Sequence, residues 1–420
     1  MSNLPIAAKI NKNSHLEIGG CDTMTLAKEF GTPLYVLDEA TIRNRCQQYL
    51  KAFRQDYSNT DIIYASKALC TAGVLKIVTS EGLGLDVSSG GELYTALKAG
   101  CDPKKVYFHG NNKTKSELEL ALTSGVGRIM ADTMQELKNI DEISRQTGKP
   151  ASIVLRVNPG IEAHTHEYIK TGCIDSKFGV PQNEIETAVR EIGSRKNLRL
   201  IGFHAHIGSQ IFDVKPFVDE VKLLVELTNK YKTQELNLGG GVGIAYLPAD
   251  KTPTIEEFAQ AITAEVKGKT QAKLLLEPGR SIVGPAGVTL YTIGGVKDIP
   301  GVRKYVLVDG GMSDNPRPIL YQAVYDAKIA NKANQPPKEK VTIAGRFCES
   351  GDILIKDINL PQIEVNDVLA VIATGAYNYS MASNYNRVGR PAMVLVNRGN
   401  ATLIVKRESY EDLIANDVIL

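Results

Sequence analysis

Lys67 lies in the run IIYASKA, just after the apolar residues Ile62, Ile63 and Tyr64. An amine at such a strand end can condense with an aldehyde, the chemistry by which enzymes hold pyridoxal phosphate; an isolated lysine is more often a solvated surface group. Other segments offer parts that would match. GGGVG (239–243) is almost free of side chains, so its backbone N–H groups can approach a phosphate, although tight turns explain most glycine runs. In EPGR (277–280), Glu277 can pair with a pyridinium nitrogen and keep the ring protonated and electron-withdrawing. The plainer reading is a Glu277–Arg280 surface ion pair, weakened because Pro278 and Gly279 force a turn between the two. In RFCESGD (346–352), Cys348 can donate a proton and Glu349 can face an ammonium group, against the common fate of cysteine as a small buried hydrophobe. Arg317 and Tyr321 in DGGMSDNPRPILY suit a carboxylate, and Tyr377 in GAYNYSMASNYN suits a phosphate.

HAHIGSQ (204–210) admits three readings. His204 and His206 are two apart, so on a strand they share a face, and such a pair can ligate zinc. Zinc needs further ligands at other strand ends. Those ends carry lysine, aspartate, glycine and EPGR, so no metal is expected. A second reading stacks an imidazole on a flat cofactor ring while Ser209 donates to a phosphate. A third leaves buried histidines bonded to the surrounding wall, which suits His204.

These segments share a place in the pattern of elements. From about residue 60 to 280, apolar strand-like runs (62–66, 83–87, 106–108, 128–131, 152–157, 200–206, 236–239 and 273–277) alternate with amphipathic helical stretches. Such alternation means a parallel sheet with crossover helices, and roughly eight units favour a closed (β/α)8 barrel, TIM-like in form. SKA, DVSSGGE, HGNNK, RVNPG, HIGSQ, GGGVG and EPGR all follow strands, on the face where such barrels build active sites. After about residue 285, short β-type runs bounded by turn residues predict an all-β sandwich or barrel domain. SHLEIGG and PLYVLDEA near the N-terminus also look strand-like and are expected to join it. The predicted domains are a barrel over 38–284 and a β domain over 1–37 and 285–420. The polar, proline-containing stretch 331–340 reads as an exposed loop.

The composition excludes several classes. Of 420 residues, 43% are hydrophobic, enough to bury a full core. Lys+Arg is 49 against Asp+Glu of 47, a net charge of +2, which argues against nucleic acid or an anionic membrane as the main partner. No run has the length of a membrane span, and the first residues lack the apolar core of a signal peptide. The six cysteines are dispersed without a CxxC motif, which points to a reducing, cytoplasmic setting.

Taken in order, YASKA, GLDVSSGGEL, HTHEYIKTGCIDSKFGV, FHAHIGSQ, LGGGVGI, EPGRSIV, DGGMSDNPRPILY, CESGD and GAYNYSMASNYN resemble the diaminopimelate decarboxylases. These are pyridoxal phosphate enzymes of the alanine-racemase-like barrel class. The resemblance spans about residues 30–400. It implies that Lys67 is the Schiff-base lysine, that His206 stacks on the cofactor ring, and that Ser209 with Gly239, Gly240 and Gly241 cradles the phosphate. Glu277 becomes the partner of the pyridine nitrogen, and Asp86, Pro278, Gly279 and Arg280 count among the cofactor contacts. Arg280, Arg317, Tyr321 and Glu349 become substrate contacts, and Tyr377 touches both phosphate and substrate. Cys348 becomes the proton donor, reaching the site from a partner subunit, so a homodimer with shared sites is expected. The implied reaction removes CO2 from meso-2,6-diaminopimelate to leave L-lysine, the last step of lysine biosynthesis. A substrate with a second amino-acid head needs a distal cation and anion or leaves charge unsatisfied; Arg317 with Arg280, and Glu349, supply both. The alternatives are a decarboxylase for another basic amino acid and a non-catalytic pyridoxal-binding regulator. An alanine-type racemase is disfavoured by Glu277.

Overall fold

The computed structural model describes residues 3–161, 172 and 175–420. His164, His166 and Cys173 of HTHEYIKTGCIDSKFGV lie outside the described residues. The chain divides into two compact units: Arg43–Gly243 with Lys251–Ser281, and Met1–Ile42 with Ile244–Asp250 and Ile282–Leu420.

The first unit is a closed parallel barrel. Its strands are β1 (Thr60–Ala65), β2 (Gly84–Val87), β3 (Val106–Phe108), β4 (Arg128–Ala131), β5 (Ala151–Arg156), β6 (Leu198–His204), β7 (Glu235–Asn237) and β8 (Lys273–Leu276). Each pairs with its sequence neighbours, and β8 pairs back onto β1 through Leu274–Leu276 against Thr60–Ile62. The strands are apolar because both faces are covered, as parallel sheets require. Ile63, Tyr107, Met130, Val154 and Leu275, from five different strands, form one buried cluster, so the barrel is filled rather than open.

The crossover helices start where the sequence offers capping side chains. Ser89 accepts from the Glu92 N–H, and Thr114 and Thr254 each form a reciprocal capping box with the glutamate three residues on. Each such cap contributes about 1 kcal/mol. Met134–Thr147 buries Leu137, Ile140, Ile143 and Ser144 on one face, the spacing of a helix lying on a sheet. The helix that enters the barrel, Glu39–Asp56, also closes it. The Tyr49 hydroxyl lies 2.7 Å from Ser281 Oγ, and Phe53 packs edge-on against Phe258 with ring centroids 5.7 Å apart.

The second unit is mostly β. Leu34–Asp38 runs between Gly287–Ile299 (antiparallel) and Ala392–Asn397 (parallel), inside a nine-stranded sheet. PLYVLD therefore joins the β unit as the sequence predicts. SHLEIGG instead contributes Leu16–Ile18 to a separate three-stranded antiparallel sheet. Leu16 and Ile18 still enter the same buried cluster as Leu34, Val36 and Val394. The long strand Gly287–Ile299 breaks register between Ile293 and Gly295. Before the break it pairs with Leu34–Asp38 and Val368–Ile372, and after it with Arg303–Val308. A glycine pair is where a strand can bend between partners at least cost. Two features give little sequence signal: the short strand Ala327–Ile329, and the segment Ile244–Asp250, which interrupts the barrel sequence yet clusters with the β unit.

Candidate active site

The C-terminal ends of the eight strands form one rim, because every pairing is parallel. Lys67 lies in the single 3-10 turn Ser66–Ala68 that follows β1, and its Nζ donates to Asp86 Oδ2 at 2.8 Å. Asp86, in β2, is fully buried, whereas the Lys67 side chain is 43% exposed, so the amine is reachable and the carboxylate beneath it is not. Ser66 Oγ donates to the Asp86 carbonyl at 2.6 Å and lies 3.0 Å from Glu92 Oε2, which also accepts the Ser88 N–H. The first turn is thus tied to the second strand through Ser66 and Lys67, and to the helix after it through Glu92.

Glu277 directly follows β8 and is buried. His109 Nε2 lies 2.8 Å from Glu277 Oε1, Asn237 Nδ2 donates to the same oxygen at 2.7 Å, and His204 Nε2 lies 3.2 Å from Oε2. Burial alone would push this carboxyl up. The two imidazoles outweigh burial by charge and by hydrogen bonds, and hold it well below the usual carboxylate range. Each hydrogen bond to an ionised group contributes about 1.5–3 kcal/mol. His109, His204 and Glu277 are also of types that could gather a metal ion. Their facing atoms are already engaged with one another, and Asn237 donates to the same carboxylate.

His204 is the last residue of β6, so the strand ends between the two histidines of HAHIGSQ. His204 turns to Glu277, combining the wall-bonded reading with a place in the site. His206 lies beyond the strand and is partly buried. Loss of water, then the charges of Lys67 and Arg156, hold its imidazole well below the ordinary value, so it is neutral near pH 7. A neutral ring is the form suited to stacking on a flat heterocycle.

Ser209 Oγ accepts from Arg280 Nη2 at 2.9 Å, which joins HIGSQ to EPGR. Arg280 opens the short helix Arg280–Val283. The Pro278 carbonyl accepts the Ala65 N–H at 3.2 Å, tying the turn that carries Gly279 to the end of β1. In the glycine run, Gly239 takes φ +64°, and a Cβ at Gly240 would lie 2.2 Å from the Glu277 carbonyl oxygen. Gly241 takes φ +122°, and its Cβ would lie 2.3 Å from the Gly208 carbonyl oxygen. Only glycine fits this approach.

The β unit carries the remaining predicted residues. Arg317 begins the helix Arg317–Tyr321 and is buried. Its Nη1 donates to the Tyr325 hydroxyl at 2.5 Å, and its guanidinium carbon lies 4.8 Å from the Tyr246 ring centroid and 5.6 Å from that of Tyr325. Among the described residues, no carboxylate pairs with it. Tyr321 ends the same helix and is partly exposed, and Tyr377 takes φ +67° in the GAYNYS turn. Cys348 and Glu349 are exposed on a turn organised by buried Asp352, which accepts the Met312 N–H at 2.7 Å and the Phe347 N–H at 2.9 Å. A Cβ at Gly345 would lie 2.1 Å from that carboxylate, so glycine is required there.

Sequence reasoning assigned no role to His109, Asn237 or Asp352. HGNNK stood out as a strand-end motif, and a histidine directly after a strand was the available signal for His109. Asn237 had a weaker one, a polar residue at the end of an apolar run.

A bound pyridoxal phosphate needs an amine for its aldehyde, an ionised acid for its ring nitrogen and a cradle for its phosphate. Lys67, Glu277 and the glycine run beside Ser209 and Arg280 offer these, so the residues present fit the group. The fold and this pocket define a pyridoxal-phosphate-dependent decarboxylase, and the family described as "Pyridoxal-dependent decarboxylase, pyridoxal binding domain" matches residues 39–284. A diaminopimelate decarboxylase of a Synechocystis species is 50% identical over 99% of this chain and 93% of its own. One from Bacillus subtilis is 46% identical over 97% and 96%. The crystal structure of the M. jannaschii diaminopimelate decarboxylase in complex with L-lysine superposes with a TM-score of 0.94 at 36% identity, covering 100% of this chain and 99% of that one. The chain belongs to the diaminopimelate decarboxylases.

The histidine cluster makes the fold sensitive to acid. Burial lowers His204 to about 4 from 6.5, against the opposing pull of Glu277. The unfolded chain therefore takes up this proton first as pH falls. Stability should drop from about pH 6.5 to about pH 4, by about 3 kcal/mol from this residue. Glu277, held low in the fold, adds a loss as pH falls below its ordinary 4.5. Urea midpoints measured across this range should fall with acidification, and His204→Gln should flatten the upper part of the curve. An unchanged slope would place the sensitivity elsewhere.

Proposed function

We propose that the chain removes CO2 from meso-2,6-diaminopimelate to give L-lysine, the closing step of lysine biosynthesis, with the residues above in defined roles. Membership of the diaminopimelate decarboxylases supports the reaction. The observation that carries the substrate choice is Arg317, a buried guanidinium braced by Tyr246 and Tyr325 with no carboxylate partner among the described residues. Such a cation is matched by an anionic group arriving with the substrate. A substrate ending in a bare amine would leave it unmatched.

Bound pyridoxal phosphate supplies an electron sink for the α-carbon as CO2 leaves. Lys67 presents the amine that holds it, and Asp86 orients that amine from below. Glu277, kept ionised by His109, His204 and Asn237, would face the ring nitrogen. Neutral His206 would pack on the ring face. Ser209, Arg280, Pro278, Gly279 and Gly239 to Gly241 would hold the phosphate end, and Tyr377 is assigned to it as well. Arg280, Arg317, Tyr321 and Glu349 bind the substrate's charged groups, and Cys348 delivers the proton that replaces the lost carboxylate. In this reading residues 38–284 form the cofactor-binding barrel, while 1–37 and 285–420 supply substrate and dimer contacts. The active form is a homodimer in which Cys348 and Glu349 serve the neighbour's site. We place it in the cytoplasm; no helix of the described residues is long and apolar enough to cross a membrane.

The test is CO2 release measured in parallel on meso-diaminopimelate, L-lysine, L-ornithine and L-arginine. Only the first should be turned over efficiently. Arg317→Met should lower kcat/KM for it by roughly 100-fold, the cost of leaving one partner of a buried charge pair unmet. Faster release from ornithine or lysine, or an unaffected Arg317→Met enzyme, would overturn the substrate assignment.

A further inference from the structure

His109 stands where the two buried carboxylates of the barrel meet. Its Nε2 is 2.8 Å from Glu277 Oε1 and 3.8 Å from Asp86 Oδ1. Asp86 Oδ2 carries the Lys67 ammonium, while Asp86 Oδ1 makes no hydrogen bond. One imidazole nitrogen therefore lies between the acid under the amine and the acid under the ring-nitrogen position. Two buried anions this close repel unless a donor or cation stands between them. At 2.8 Å the Nε2 proton goes to Glu277; 3.8 Å to Asp86 is beyond hydrogen-bond range.

The loop around His109 is built to hold it there. The His109 backbone N–H donates to the Val87 carbonyl at 2.7 Å, fastening the end of β3 to the end of β2. Four residues on, Lys113 Nζ donates to the Gly110 carbonyl at 2.6 Å, to the Met130 carbonyl at 2.6 Å and to Glu136 Oε1 at 2.9 Å. Those bonds use all three donors of a buried ammonium. They lock HGNNK against β4 and the helix Met134–Thr147 that follows it. The His204 ring meets His109 edge-on, with centroids 5.0 Å apart. The charged and titratable groups that face His109 are thus Asp86 from β2, His204 from β6 and Glu277 after β8, with Lys67 behind Asp86.

We propose that His109 is a positioning residue of the cofactor site: it fixes Glu277 at the ring-nitrogen position and stands between that carboxylate and the Lys67–Asp86 pair. The proposal rests on the reading of Lys67 and Glu277 as the two ends of the cofactor site. Its consequence is that one side chain sets the ring-nitrogen partner and separates it from the acid under the amine. Disturbing His109 should then alter cofactor binding and the titration of the bound cofactor, while substrate affinity is spared.

His109→Gln and His109→Asn separate this from a merely structural role. Both amides are polar and smaller than or similar to imidazole. Only glutamine places a donor near the position of Nε2; asparagine ends one carbon short. In holoenzyme, His109→Asn should bind pyridoxal phosphate roughly tenfold or more weakly, the loss of one hydrogen bond to a carboxylate. The pH midpoint of the bound cofactor's visible band should move, and kcat should fall with little change in KM. His109→Gln should restore affinity and midpoint to near wild type. Equal behaviour of the two variants, or a wild-type midpoint and affinity in His109→Asn, overturns the proposal. Borohydride reduction followed by peptide mapping tests the underlying reading separately. A pyridoxyl label on a lysine other than Lys67 sinks that reading, whatever the His109 variants show.

Discussion

Lys67→Ala should yield a folded protein that lacks the visible band of bound cofactor, with turnover reduced by roughly a thousandfold or more. The magnitude follows from what one side chain supplies. In the proposed reading, an amine already held at the reacting carbon replaces an encounter from solution. The variant should still fold, because the Lys67 side chain is 43% exposed and lies in a turn held by its neighbours. Ser66 stays bonded to Asp86 and Glu92, and the Ala65 N–H stays bonded to Pro278. Removing the ammonium does leave Asp86 buried without its cation, so a modest loss of stability is expected as well. Lys67→Arg keeps that charge but lacks a nucleophilic amine. It should recover the stability and none of the turnover. A Lys67→Ala protein that keeps both the band and its activity would move the cofactor's anchor to another lysine.

The parts of the molecule legible in the sequence are those whose physics is local. Ile62, Ile63 and Tyr64 read as a strand because a parallel barrel buries both faces. Thr114 and Thr254 mark helix starts because capping depends on a residue and its third neighbour. The glycines at 239–241 stood out because close backbone approach tolerates little else. What stayed hidden depends on distant partners. His109 acquires meaning only when barrel closure brings β3 opposite β8 and sets its Nε2 beside Glu277, 168 residues away. Asn237 looked like part of an apolar strand because its amide faces the same carboxylate from inside the wall. Asp352 sat in a recognised motif, yet its work is to collect backbone N–H groups from two loops, which no spacing rule predicts. SHLEIGG has a strand's local pattern, but the choice between joining a large sheet and forming a small one is made by tertiary packing.

Cys348→Ala should retain pyridoxal phosphate and its visible band yet lose turnover by roughly 100- to 10,000-fold, the range for removing a positioned proton donor. Its surroundings separate it from the chain's other described cysteines. Cys21, Cys46 and Cys101 are buried, Cys70 is partly buried, and Cys348 is exposed. Burial pushes the Cys46 and Cys70 thiols up to about 12, which keeps them protonated and inert. Cys348 instead rides on an ordered turn: its N–H donates to Asn386 Oδ1 at 3.0 Å, Asp352 accepts the Phe347 N–H before it, and the Asp352 N–H donates to the Glu349 carbonyl after it at 3.0 Å. An exposed thiol on a fixed turn is placed to act on something outside its own fold. If that is the partner's pocket, the two defects are complementary. In a dimer of one Cys348→Ala and one Lys67→Ala subunit, one site keeps both Lys67 and Cys348 while the other has neither. Random reassortment of equal amounts should then restore about one quarter of wild-type activity, since half the dimers are mixed and each carries one intact site. A thiol acting within its own subunit gives no rescue, because neither chain then holds a complete set. Activity of the mixture, measured after subunit exchange and compared with each variant alone, decides between the two.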